Sequence, residues 1–157
     1  MVVRFALTHE AEKLWEIRNR AIRHGCKTSY DEKTIMVWTQ NEMPESFRKT
    51  ISDNPFFVID SPAGDNPVAT GFLDLESQSV EAIFTLPEFM GQGMAKIILE
   101  AIKTEAKRRR IKTLVLSSTP NAFEFYKKNG FTLIKESFHY SRMANVELRC
   151  MDMSCDL

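Results

Sequence analysis

The segment Val80-Glu81-Ala82-Ile83-Phe84-Thr85-Leu86-Pro87-Glu88-Phe89-Met90-Gly91-Gln92-Gly93-Met94-Ala95 decides how this chain is read. Residues 80–86 form an apolar run of strand length, and Pro87 with two glycines then opens a loop. From there Ala95, Ile98, Leu99, Ile102 and Ala106 recur at three- and four-residue spacing, which predicts a helix over 94–110 with one face on a sheet. A helix that starts at a glycine loop presents free backbone N–H groups at the positive end of its dipole, and so offers an anion site. Gly91 and Gly93 let the backbone approach a ligand. At ~7% glycine usage a G-x-G is expected about once by chance in a chain of this size, so the weight lies in its place between strand and helix. Neither Gly-Lys-Ser/Thr nor a third glycine of G-x-G-x-x-G accompanies it.

Downstream, 113–116 reads as a buried strand, and Pro120 starts a helix that buries Phe123 or Phe125 and stops at Gly130. Strands near 131–136 and 146–153 close the chain. Upstream, 2–7 reads as a strand. Thr8 caps a helix carrying Ala11, Leu14, Trp15, Ala21 and Ile22 as far as Gly25. Asp31 caps a shorter helix with Ile35 and Trp38, and Pro44 stands at the first position of another with Phe47 and Ile51. Residues 56–59 and 68–73 flank the turn Ser61-Pro62-Ala63-Gly64-Asp65-Asn66-Pro67, a hairpin signal. The order predicts one α/β domain over 1–157 with helices on the faces of a mixed sheet.

The chain has 157 residues, 43% hydrophobic and 27% charged, enough for one core. Its 21 basic and 21 acidic residues cancel, which argues against nucleic-acid and membrane partners. The basic run Lys107, Arg108, Arg109, Arg110 falls at a helix end, where the dipole favours it. Cys26, Cys150 and Cys155 are odd in number without C-x-x-C spacing, and His9, His24 and His139 are scattered, so neither a disulfide framework nor a bound metal is expected. No segment is apolar for long enough to serve as a signal or to span a bilayer, and a cytoplasmic location is expected.

The loop from Pro87 to Ala95 resembles the acyl-CoA loop Q/R-x-x-G-x-G/A of the GNAT N-acyltransferase superfamily. Asn121-Ala122-x-x-Phe125-Tyr126-x-Lys128-x-Gly130-Phe131 resembles that superfamily's second cofactor segment. The element order agrees over nearly the whole chain. Within the superfamily, the Ser29-Tyr30 region, Trp38 and the late hydrophobic strand are similar to the small bacterial acetyltransferases of the YafP type. The resemblance implies the GNAT fold, an α/β (α+β) architecture whose mixed, mostly antiparallel sheet has six to seven strands with helices on both faces. It implies an N-acetyltransferase that moves an acetyl group from acetyl-CoA directly to an amine in a ternary complex.

Residue by residue, the resemblance implies that Ile83, Phe84 and Thr85 offer backbone groups to the pantetheine arm. Backbone amides from Gly91 through Gln92, Gly93 and Met94 to Ala95 would hold the pyrophosphate, with the family's alternating pattern falling on Met90, Gly93 and Ala95; Asn121 would hydrogen-bond the cofactor arm, and Phe125 would pack near the thioester. Met90 stands where the family has Gln or Arg, and Gln92 and Lys96 are nearby substitutes for that contact. Tyr126 would protonate the departing thiolate, a role that suits a phenol of reference pKa about 10. An ordinary packed aromatic is the competing reading. Glu81 would relay the amine's proton, or face solvent.

Asp31, Glu32, Glu42 and Glu45, with Tyr30 and Trp38, would form the amine-recruiting mouth, or simply caps and core. The acceptor is expected to be a small molecule rather than a protein, and a homodimer pairing its terminal strands is open by analogy. Cys150 and Cys155 fall away from the thioester, against a cysteine relay. The alternative function is a non-catalytic acyl-CoA-binding sensor or scaffold.

Overall fold

The computed structural model describes residues 1–64 and 66–157; Asp65, in the expected turn, lies outside them. Seven strands form one sheet: β1 (Val3–Phe5), β2 (Phe56–Asp60), β3 (Pro67–Asp74), β4 (Ser79–Thr85), β5 (Thr113–Ser118), β6 (Thr132–Ser141) and β7 (Val146–Asp156). Their spatial order is β1-β2-β3-β4-β5-β7-β6, antiparallel throughout except between β4 and β5. The mixed, mostly antiparallel sheet expected from the sequence is therefore present. The two closing strands pair with each other inside the chain, which leaves β6 as an edge strand.

Among the described residues five α-helices cover the sheet: α1 (Ala11–Gly25), α2 (Glu32–Trp38), α3 (Glu45–Asp53), α4 (Met94–Arg108) and α5 (Phe123–Lys128). The apolar stripe of α1 buries Leu14, Ile17, Ala21 and Ile22. That helix packs on β3 and β4, with α2 and α3 beside it. On the opposite face α4 buries Met94, Ile98, Leu99, Ile102 and Ala106 against β1 to β4. Met94 takes the inward place expected of Ala95. Among the described residues no helix is long and apolar enough to cross a membrane.

Several local expectations are corrected. Thr8 makes no side-chain cap; a short 3-10 turn, Thr8–Glu10, precedes α1, and Glu10 Oε1 accepts from the Leu7 N–H at 2.9 Å. That carboxylate is held by Arg4, whose guanidinium also grips Asp60, so an ion-pair network outcompetes the threonine. Pro44 is the N-cap of α3 rather than its first helical residue. Asp31 does cap α2, accepting from the Thr34 N–H at 2.7 Å. In α5 the buried residue is Tyr126, not Phe123 or Phe125. The basic run ends α4 as expected, where Arg108 and Arg109 pair with Glu105.

Two irregularities position the site. Strands β4 and β5 pair only at Ser79 and Val115, so they diverge beyond that point. In β4, Ala82 and Ile83 together face the single Gly71 of β3, a β-bulge with Ala82 at φ 54°. A Cβ on Gly71 would lie 2.7 Å from Ile98 Cγ2 and 2.9 Å from Ile83 Cγ1, so glycine lets α4 and the bulge close on this point.

Candidate functional site

The bulge reverses the alternation of β4. Glu81 pairs with Phe72 and Phe84 with Thr70, so both side chains leave the sheet on the same face although they are three residues apart. Past the bulge the β5 side of the strand has no partner strand, and its backbone is free to meet a ligand.

This divergence opens a cavity of about 480 Å³. Ile83, Phe84 and Thr85 form one wall, and Met90, Gly91, Gly93, Met94, Ala95 and Lys96 form the second. Asn121, Phe125 and Tyr126 form the third. Of the residues expected at a cofactor site only Gln92 is absent from the lining; its side chain is in solvent. Gly91 and Gly93 have φ of 79° and 83°, left-handed values that glycine adopts without strain. The first turn of α4 is entered directly from Gly93. Among the described residues the amides of Met94, Ala95 and Lys96 have no backbone acceptor, as at any helix start, and here they border the cavity.

Five lining positions carried no site signal in the sequence: Ala21, Ile22, Gly25 and Cys26 at the end of α1, and Thr119 after β5. Cys26 donates weakly to Asn121 Oδ1 at 3.4 Å, and Ser29 Oγ donates to the same oxygen at 3.2 Å. These two contacts fix the Asn121 amide. Burial pushes the Cys26 thiol up to about 11, so it is a neutral thiol at pH 7 rather than a nucleophile. Only three-dimensional proximity links residue 26 to residue 121.

Tyr126 lines the cavity and packs edge-on against Phe125 and Phe131. Burial, and then the charge of Glu81, raise its pKa well above that of a free phenol. Glu81 is not on the first cavity. It lines a second one, of about 370 Å³, with Ser77, Ser79, Ser117, His139 and Asp152 over an apolar floor that includes Val115 and Met153. Burial raises the Glu81 carboxyl, partly opposed by the Ser79 hydroxyl donating at 2.9 Å. The two cavities share no lining residue, and what links them is the Glu81 charge, which contributes to the raised pKa of Tyr126.

The remaining early candidates lie elsewhere. Asp31 is occupied as a cap, and Glu32, Glu42 and Glu45 border neither cavity. Tyr30 donates to the Arg149 carbonyl at 2.6 Å and stacks edge-on with Trp38. That contact ties the α1–α2 connection to β7. Cys150 and Cys155 sit on β7 and border neither cavity.

Residues 26–154 match the family model described as an acetyltransferase (GNAT) domain. The chain is 28% identical over 120 residues to the peptidyl-lysine N-acetyltransferase YjaB of Salmonella typhimurium, covering 68% of this chain and 79% of that protein. Among solved structures, a GCN5-related N-acetyltransferase from Rhodopseudomonas palustris superposes with a TM-score of 0.89 over 99% of this chain and 95% of its own, at 18% identity. The PaiA N-acetyltransferase of Thermoplasma acidophilum, solved in complex with coenzyme A, gives 0.80 over 99% and 98%, at 16% identity.

Proposed function

This chain belongs to the GNAT acetyltransferase family and is an acyltransferase, and from that premise we propose that it passes the acetyl group of acetyl-CoA directly to a small amine. The observation that carries this reading is the first cavity, where an unpaired β4 edge, the free amides at the start of α4 and the Tyr126 hydroxyl converge. The PaiA relative was solved with coenzyme A, which supports the same ligand here.

Acetyl-CoA supplies a thioester whose carbonyl carbon the amine attacks, forming C–N as C–S breaks. The amides of Met94, Ala95 and Lys96 suit the pyrophosphate. The β4 edge suits a pantetheine amide, and Asn121, held by Cys26 and Ser29, suits the cofactor arm. Glu81 takes the proton that the amine loses, directly or through one water, and Tyr126 hands a proton to the departing sulfur. The two roles are coupled. While Glu81 is ionised its charge helps keep Tyr126 protonated. Once Glu81 has accepted the amine's proton that cause disappears, and Tyr126 becomes the stronger acid as the thiolate leaves.

The second cavity is the acceptor's. Its volume of about 370 Å³ and its two carboxylates, Glu81 and Asp152, suit a compact cationic amine. The YjaB relative is named for peptidyl-lysine, so a lysine peptide is the competing acceptor. Initial rates with acetyl-CoA against a panel of polyamines, amino acids and lysine peptides test this. Intersecting double-reciprocal lines with a small amine support direct transfer; parallel lines signify a covalent acetyl-enzyme and overturn it. Preference for the peptides by a large margin in kcat/KM would move the acceptor out of the second cavity.

A further inference from the structure

We propose that His139, Cys150 and Asp152 form a binding site for a divalent transition-metal ion of the zinc class. His139 Nε2, Cys150 Sγ and a carboxylate oxygen of Asp152 all lie within 4.8 Å of one another. Cys150 and Asp152 are two residues apart on β7, so they project from one face. Ser137 pairs with Cys150, and His139, two residues further along β6, projects from that same face. Neither strand alone brings the three together; the β6–β7 register does.

The donor set is a sulfur, an imidazole and a carboxylate, a combination that suits a borderline ion in tetrahedral coordination. Zinc bonds of about 2.3 Å to sulfur and 2.0–2.2 Å to nitrogen or oxygen put two donors on one ion roughly 3.3–3.8 Å apart. His139 Nε2 and Asp152 Oδ1 are 3.0 Å apart already, sharing a proton that the ion would replace. Closing on the sulfur is a matter of side-chain rotation, because backbone pairing fixes all three Cα positions. Asp152 is braced by hydroxyls on both oxygens, Ser117 Oγ at 2.9 Å and Ser137 Oγ at 3.0 Å, the outer support that metal-ligating carboxylates use. The His139 ring is 56% exposed and gives the ion a route in from solvent.

Binding is balanced by one proton. The Cys150 thiol releases it to solvent, Asp152 enters ionised, and the proton that His139 Nε2 shares with Asp152 moves to Nδ1 by exchange with solvent, which frees the Nε2 lone pair for the ion without a second net release. A fourth position stays open for water. Because His139 and Asp152 also line the second cavity, an ion there places positive charge where a cationic amine enters. Zinc should therefore inhibit acetyl transfer. That consequence rests on the proposed function; metal binding does not.

The test is titration of chelator-treated, full-length protein with Co²⁺, followed by displacement with Zn²⁺. Saturation at one equivalent is expected, with the visible bands of tetrahedral cobalt and a thiolate-to-cobalt charge-transfer band in the near ultraviolet. Cys150→Ser should abolish the charge-transfer band and Cys155→Ser should keep it. Isothermal titration with Zn²⁺ should show His139→Ala weakened about 100-fold. Absence of any band in the parent protein overturns the proposal, as does a band that survives Cys150→Ser. Should Cys150→Ser not fold, the exposed His139→Ala decides alone: unchanged zinc affinity would sink the site. Zinc binding without inhibition would leave the metal site standing and count against the acceptor cavity.

Discussion

The two cavities, one lined by Tyr126 and the other by Glu81, are built in opposite ways. The first is mostly main chain and apolar wall: a divergent strand edge, a glycine loop and a helix start, with polar side chains at a few points. The second is made by side chains, Glu81, Asp152, His139 and three serines, drawn from β4 and the turn before it, β5, β6 and β7. A backbone cradle depends little on the side chains around it, so in the proposed cofactor site Met90 would serve where the resemblance implies Gln or Arg. A side-chain cluster can be rewritten by one substitution. The first construction suits a ligand common to a whole family, and the second suits one that changes from member to member.

The largest effect expected concerns Tyr126, in the first region. Tyr126→Phe removes the hydroxyl and keeps the ring, so kcat should fall about 10²–10⁴-fold while the equilibrium affinity for acetyl-CoA holds. Stopped assays beside calorimetry separate the two, and a kcat within threefold of the parent would remove Tyr126 from the chemistry.

Next is Glu81→Gln, which belongs to the second region. Burial raises the Glu81 carboxyl, so it keeps its proton to higher pH than an ordinary carboxylate of about 4.3. The base form is then lost at a higher pH than for an ordinary carboxylate, and kcat/KM should show an acid limb above the usual carboxylate range. The Gln variant should lose that limb together with about 100-fold in rate. Stability runs the other way. A raised carboxyl favours folding below its unfolded pKa, and that contribution disappears as pH rises through the folded value. At neutral pH Glu81→Gln should therefore melt no lower than the parent; a lower melting point would mean that the carboxylate is stabilised rather than strained.

Gly71→Ala sharpens the comparison from the scaffold side. The added methyl meets Ile98 and Ile83 at the bulge, and overpacking of this kind costs about 1–3 kcal/mol. Urea unfolding should show that loss. Acetyl-CoA binding should weaken as well, because the bulge directs the free β4 edge.

The difference in construction also decides what could be read in the sequence. Most of the first cavity is written in two nearly contiguous segments, residues 83–95 and 121–126, whose strand, loop and helix signals are local; the wall from the end of α1 is added only by folding. Element order and the mixed sheet follow from the same periodicities. The second cavity depends on strand register, and nothing local states that Ser117 pairs with Asp152 or that His139 lies one pleat from Cys150. Their scattered spacing gave no metal signal for that reason. The bulge was equally hidden, since Ala82 is not a residue that advertises positive φ. Thr8 failed as a cap because Glu10, braced by Arg4 from β1, serves the entry to α1, a contact that exists only after folding.

The smallest effect is the most informative about the cradle. Met90 is 42% exposed on the wall of the first cavity, and Lys96 lies on the same wall. If the main-chain amides carry the pyrophosphate, restoring a polar group with Met90→Gln adds one neutral hydrogen bond, about 0.5–1.5 kcal/mol. Acetyl-CoA should then bind roughly two- to tenfold tighter. Lys96 supplies a second way to divide the load. If its ammonium already substitutes for the missing side chain, Met90→Gln should gain more in a Lys96→Ala background than in the parent, a non-additivity that calorimetry on the four proteins would read directly. Strict additivity would mean that the two side chains act independently. A loss of affinity in Met90→Gln would mean that the methionine itself packs on the cofactor, so that the cradle depends on side chains as the second cavity does.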